Sequence, residues 1–228
     1  MSDERLHTNL LGIAMQTPVL TASGTFGFGE EFADFVDLSR LGGVMVKGTT
    51  LLPRRGNDGV RITETPKGML NCIGLENPGV EHFLDETLPR IQQYGMNVIV
   101  NISGSTAEEY GKLAGLLDVP GVAAIELNVY YVPGDITTAA REVEQRYLDI
   151  LDDVKSRVGV PVAMKLSPYL SSFGKMAQAL DAAGADGLVL FNRYLHEVTG
   201  REDLKIQCPN VSFDTHAYLC HERLRSKL

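Results

Sequence analysis

Short β-rich apolar runs recur along this chain, each followed by a longer stretch of helical period, and this alternation limits the possible folds more than any other feature. The runs are Pro18 to Ala22, Val44 to Val46, Val98 to Val100, Val122 to Leu127, Pro161 to Met164 and Gly187 to Phe191. Between them, Glu81 to Tyr94, Ala107 to Leu117, Thr138 to Val158 and Ser171 to Ala183 place apolar residues three and four apart, with charged residues on the opposite face. That spacing predicts amphipathic outer helices. Strands alternating with helices are the pattern of βα units around a parallel sheet. Leu6 to Met15 reads as a short hairpin in front, and Gly184-Ala185-Asp186-Gly187 as a helix stop and tight turn before the last run.

Parallel strands with intervening helices fit either an open doubly wound sheet or a (β/α) barrel. The strand ends favour the barrel. A polar residue follows or closes each run: Ser23, Lys47, Asn101, Asn128, Lys165 and Asn192. In a barrel the C-terminal strand ends converge on one mouth, where enzymes of this fold keep their chemistry. Any one of these residues alone reads as a strand-end polar group bonding a loop; all of them together imply a shared pocket. Two lysines and three asparagines suit a planar, carbonyl-rich, anionic ligand. The expectation is a single α/β domain over residues 1–228, a TIM (β/α) barrel with six of eight βα units recognisable behind an N-terminal hairpin.

A net charge of −8 without a dense Lys/Arg block argues against nucleic acid or anionic lipid as partner. A small-molecule substrate fits better. The N-terminus is charged at once, and no apolar run approaches the roughly 18 residues of a membrane span, so a soluble, cytoplasmic protein is expected. Cys72, Cys208 and Cys220 lack the spacing of a disulfide framework or of metal ligands; they read as reduced thiols, and no metal centre is expected.

Four segments in order carry a resemblance: residues 21–31 (TASGTFGFGEE), 46–50 (VKGTT), 68–79 (GMLNCIGLENPG) and 101–104 (NISG). Together they resemble the dihydroorotate dehydrogenases, especially the class that passes electrons to NAD through a partner subunit. The resemblance implies an FMN lying over the barrel mouth, with Ala22, Ser23, Lys47, Asn101, Asn128 and Lys165 at family flavin contacts. It also implies that Lys47, Asn71, Gly74, Leu75, Asn128 and Asn192 hold dihydroorotate or orotate, with Lys47 counted among the catalytic residues as well. Lys165 beside the flavin N1/O2 edge would stabilise the anionic reduced ring. An electron-transfer subunit carrying FAD and an iron-sulfur centre, and self-association into a homo-oligomer, follow from the same resemblance.

The second half is similar to a group of dihydroorotate dehydrogenase-like proteins, on residues 126–131 (ELNVYY), 143–151, 165–168 (KLSP) and 187–193, so the chain reads as a hybrid of two subfamilies. The family places its catalytic Cys three residues after the fourth-strand Asn; here that position is Tyr131. A phenol, with a reference pKa of about 10, is a poor general base near neutral pH. Tyr131 therefore stands either as the base or as a stacking residue. Cys208-Pro209-Asn210 resembles the missing motif but follows the sixth run. Beyond Asn192 the family has two more βα units whose glycine-rich turns grip the FMN phosphate. Their pattern does not continue here; residues 215–225 read as a short polar helix, which would leave two barrel edges unpaired.

Three functions follow. The first is flavin-dependent oxidation of dihydroorotate to orotate in pyrimidine (UMP) synthesis. The second is a non-catalytic or vestigial barrel fragment lacking the FMN phosphate site. The third is a lyase forming a Schiff base at Lys47 or Lys165.

Overall fold

The computed structural model describes residues 4–64, 71–131, 135 and 137–192, with the backbone of 65, 68–70, 194–196, 211–213 and 217–219. Strands β1 (Thr8–Leu10) and β2 (Ile13–Met15) form the expected hairpin, in the register Thr8↔Met15. Its two turn residues, Leu11 at φ 57° and Gly12 at φ 76°, are both left-handed, as a tight two-residue hairpin turn requires. The chain continues through β3 (Val44–Thr49) and an antiparallel hairpin of β4 (Ile62–Thr65) and β5 (Gly68–Asn71).

Helix α1 runs over 80–92 in three consecutive pieces, Val80–His82, Phe83–Thr87 and Leu88–Gln92, the middle one wound as a π-helix. Then follow β6 (Val98–Ile102), α2 (Ala107–Leu117), β7 (Ala124–Asn128), α3 (Ala140–Lys155), β8 (Val162–Leu166), α4 (Phe173–Ala182) and β9 (Gly187–Leu190). Short strands β10 (Tyr194–His196), β11 (Val211–Phe213) and β12 (Ala217–Leu219) come last. Gly184 at φ 89° ends α4, and the Asp186 carboxylate next to it accepts from Val162 N at 2.7 Å and from Lys155 Nζ at 2.8 Å. This is the expected stop and turn, tied to the base of β8.

The main sheet has the order β12-β9-β8-β7-β6-β3, parallel throughout except for β12, which pairs antiparallel with β9. Two expectations need correction. Pro18 to Ala22 is not a strand: it meets β3 through one parallel bridge, Leu20↔Gly43, with Gly42 N donating to Val19 O at 2.8 Å. Pro18 has no N–H to offer and Val19 is 56% exposed, so this edge segment lacks the ladder that would make it a strand. The helix expected over 215–225 is contradicted at Ala217–Leu219, which is extended and covers the β9 edge that the sequence left open. An unpaired edge is a template for any extended segment within reach. Cys208-Pro209-Asn210 lies outside the described residues.

Both faces of the sheet are buried, which explains strands that read as continuous apolar runs. Val44, Val46, Val98, Val100, Ile102, Ile125, Leu127, Val162, Met164, Leu166, Leu188 and Leu190 face the helices and join Phe83, Leu113, Tyr147 and Leu151 in the main core. The alternate positions, Met45, Ile99, Ala124, Ala163 and Val189, form a second, smaller cluster with Met15, against which Leu10, Leu11, Ile13 and Leu20 pack. The N-terminal hairpin thus covers the lower part of this second face with apolar side chains. Because side chains on a strand alternate with period two, the next residues up the same face are Lys47, Asn101, Glu126 and Lys165. An apolar floor is overlaid by a polar layer.

Candidate functional site

The polar layer borders a cavity of about 510 Å³, within the roughly 300–1,000 Å³ typical of small-molecule sites. Its walls include Ser23, Lys47, Asn71, Gly74, Leu75, Asn101, Asn128, Lys165 and Asn192. The structure therefore brings these sequence-predicted residues together. Ala22 is buried beneath the wall, and its carbonyl accepts from Thr25 N and Thr25 Oγ1 at 3.1 and 2.7 Å. Tyr131 lies elsewhere. Arg146 Cζ sits 4.4 Å from its ring centroid, and the pair lines two smaller concavities against α3. Arg146 is itself anchored by donating from Nη2 to Ser105 O at 2.7 Å.

One hydrogen-bond network ties the strand ends. Lys165 Nζ donates to Ser23 Oγ at 2.9 Å, and Ser23 Oγ donates to Glu126 Oε1 at 2.8 Å. Asn101 Nδ2 also donates to Glu126 Oε1, and Lys165 Nζ lies 3.8 Å from that same oxygen. Asn128 Nδ2 donates to Asn101 Oδ1 at 3.5 Å, and Asn192 Nδ2 donates to Asn128 Oδ1. The end of β7 is held from outside, where Tyr110 Oη of α2 donates to Asn128 O at 2.7 Å; burial pushes the Tyr110 hydroxyl above its ordinary pKa. Tyr147 is placed similarly under β8, its Oη accepting from Ser167 N at 3.4 Å, and desolvation pushes it up to about 12. The site is thus a set of interlocked side chains on strand ends and on the segments just beyond them, an arrangement that preorganises a binding surface.

Lys47 differs from Lys165. Among the described residues its ammonium has no hydrogen-bond or ionic partner, and it faces the cavity. The opposite wall is the loop after β5, bent by Gly74 at φ 82° and Leu75 at φ 57°. A Cβ at Gly74 would lie 2.7 Å from the Asn57 backbone nitrogen. Asn57 holds this loop through Asn57 N to Ile73 O at 3.0 Å and Asn57 Nδ2 to Cys72 O at 2.8 Å. Gly48 leaves room on the floor, since a Cβ there would lie 3.0 Å from Asn101 Oδ1.

Sequence reasoning missed Glu126. It is 0% exposed, sits at the centre of the network, and its Oε2 has no hydrogen-bond partner among the described residues. The signal was available: Glu126 precedes Asn128 by two residues on the same strand, so it shares the face of Asn128. Among the described residues no group of three or more His, Cys, Asp or Glu could hold a metal, and no helix is long and apolar enough to cross a membrane.

A sequence profile described as "Dihydroorotate dehydrogenase" matches residues 5–214. A protein of Desulforamulus reducens described as "Dihydroorotate dehydrogenase B (NAD(+)), catalytic subunit" is 46% identical over 191 residues, covering 79% of this chain and 60% of that one. Proteins of the same description from Geobacillus sp. and Bacteroides fragilis are 45% identical over 195 residues and 43% over 192, covering 84% and 83% of this chain and 62% and 63% of theirs. The chain spans about three fifths of the length of these relatives.

Proposed function

The chain belongs to the dihydroorotate dehydrogenase family, resembling its NAD-linked class B, and on that premise we propose that its cavity serves the flavin-dependent oxidation of dihydroorotate to orotate in pyrimidine synthesis. The observation that carries this reading is the Lys47 ammonium, without an internal partner among the described residues, facing a cavity walled by Asn71, Asn101, Asn128 and Asn192. A free cation beside amides that both donate and accept suits a carboxylate attached to a ring of alternating N–H and C=O groups.

The residues around the cavity fit the ring of FMN as the group such a site would hold. The donor set is cationic and amide-rich, Gly48 leaves the floor open above Asn101, and Lys165 is a buried cation at the cavity wall. When bound, FMN would accept the hydride that leaves dihydroorotate, and the proton lost from the neighbouring ring carbon would pass to a water molecule in the cavity. Ala22, Ser23, Asn101 and Lys165 would border its ring, with Lys165 placing positive charge where reduction puts negative charge. Lys47 would bind the substrate carboxylate, and Asn71, Asn128 and Asn192, with the backbone of Gly74 and Leu75, would orient its ring amides. We read the sheet as most of one barrel wall in a single domain, the protein as cytoplasmic and self-associating, and NAD as reached through a subunit carrying FAD and an iron-sulfur centre.

The test is anaerobic. The protein is mixed with FMN, its visible spectrum recorded, and dihydroorotate added; bleaching near the flavin absorbance maximum is expected. An unperturbed flavin spectrum at saturating protein would defeat the proposal. A second reading, a flavin-binding scaffold without turnover, is favoured by the seat of Tyr131 against Arg146 rather than at the cavity. In that case flavin binds and orotate perturbs its spectrum, but dihydroorotate does not bleach it.

A further inference from the structure

The mechanism above leaves Glu126 without a task. A fully buried carboxylate is costly to keep, because desolvation can exceed what its partners return, and replacing such an ion pair as a whole by apolar residues is often neutral or stabilising. Glu126 is nevertheless 0% exposed, and one of its oxygens is unpartnered among the described residues. Its other oxygen gathers everything that faces it: Ser23 Oγ at 2.8 Å, Asn101 Nδ2, and Lys165 Nζ at 3.8 Å. Lys165 in turn is 4% exposed, with Ser23 as its hydrogen-bond acceptor.

We propose that Glu126 is a positioning residue whose carboxylate sets both the place and the net charge of Lys165 at the cavity wall, and so tunes how readily a bound flavin is reduced. Without Glu126 the Lys165 ammonium is an uncompensated buried cation; with it, the pair presents a directed but nearly neutral dipole. The carboxylate offsets part of the positive field that favours charge on a reduced ring, holding the site at a lower reduction potential than Lys165 alone would give. The Ser23 hydroxyl, donating to Glu126 while accepting from Lys165, fixes the direction of that dipole. The redox part of this inference rests on the flavin reading; the coupling between Glu126 and Lys165 does not.

The test is a double-mutant cycle of wild type, Glu126→Gln, Lys165→Met and the double variant, with Lys165→Gln replacing Lys165→Met should the latter not fold. With FMN bound, equilibration against a reference dye at fixed solution potential gives the ratio of reduced to oxidised FMN. Glu126→Gln is expected to raise that ratio about tenfold, the effect of removing a unit charge roughly 10 Å away at an effective dielectric near 20. In the Lys165→Met background the buried carboxylate has lost the cation that keeps it charged and takes up a proton, so the same substitution should change the ratio less than twofold; with Lys165 present, Glu126→Asp should lie nearer wild type than Glu126→Gln does. An equal shift in both backgrounds, or no shift in either, overturns the tuning role. Denaturant unfolding of the four proteins without FMN is the second arm. The combined loss in the unfolding constant should be at least about tenfold smaller than the product of the single losses, because Glu126→Gln relieves the carboxylate that Lys165→Met strands. Additive losses overturn the coupling. Failure of wild type to bind FMN, with the non-additivity intact, would sink the flavin reading and the tuning role while upholding the Glu126–Lys165 pairing.

Discussion

Lys165 Nζ donates a 2.9 Å hydrogen bond to Ser23 Oγ across 142 residues of chain. The end of β8 is thereby joined to the segment that precedes β3, on the face of the sheet opposite the helices. Both residues are at strand ends or just past a strand-like run, and the contact exists only because the sheet brings those ends to one place.

Lys47 carries the first prediction. Replacing it with Met should weaken orotate binding about 10- to 100-fold, the worth of a charge-assisted hydrogen bond at about 1.5–3 kcal/mol. Titration of the FMN-loaded protein with orotate, followed by flavin difference absorbance, measures this; an unchanged dissociation constant would place the carboxylate elsewhere.

Tyr131 should be dispensable as an acid–base group. Its ring is held by Arg146 away from the cavity wall, so Tyr131→Phe, which keeps the ring and deletes the hydroxyl, should leave the rate of flavin reduction by dihydroorotate within about twofold of wild type. A loss in the range typical for a general base, roughly 10²- to 10⁴-fold, would instead make the phenol the proton acceptor.

Gly74 should resist substitution. At φ 82°, with Asn57 N 2.7 Å from any Cβ, Gly74→Ala should lower stability by about 1–3 kcal/mol and loosen the loop that walls the cavity. Thermal unfolding and orotate affinity should both suffer. A neutral result in both would mean that the loop relaxes freely.

Tyr147 predicts an alkaline limb in stability. Its folded pKa is raised to about 12 by burial, above an ordinary value near 10, so the folded state holds the proton more tightly than the unfolded chain. The resulting stability is complete below about pH 10 and is lost as pH rises through about 12, a change of roughly 2–3 kcal/mol. Urea unfolding at intervals from pH 8 to 12 should show this limb in wild type and a shallower one in Tyr147→Phe; parallel curves would remove Tyr147 as its source.

Much of the site was legible because strand ends are local in sequence. Lys47, Asn101, Asn128 and Lys165 each end or nearly end an apolar run, and a parallel sheet points all such ends one way. The Asn71-to-Leu75 wall was reached only through resemblance, since a loop's direction depends on partners such as Asn57 that lie far from it in sequence.

What the sequence determined by itself was the order of βα units, the helix-facing core and the polar layer, because period-two and three-to-four-residue spacings depend only on backbone geometry. Tertiary structure decided the rest. It left Pro18 to Ala22 with a single bridge, turned 217–219 into an edge strand, moved the Tyr131 ring to Arg146, and buried Glu126 among Ser23, Asn101 and Lys165. These outcomes depend on which distant groups are within a few ångströms, and hydrogen bonds and ion pairs fall off too steeply for chain order to reveal them.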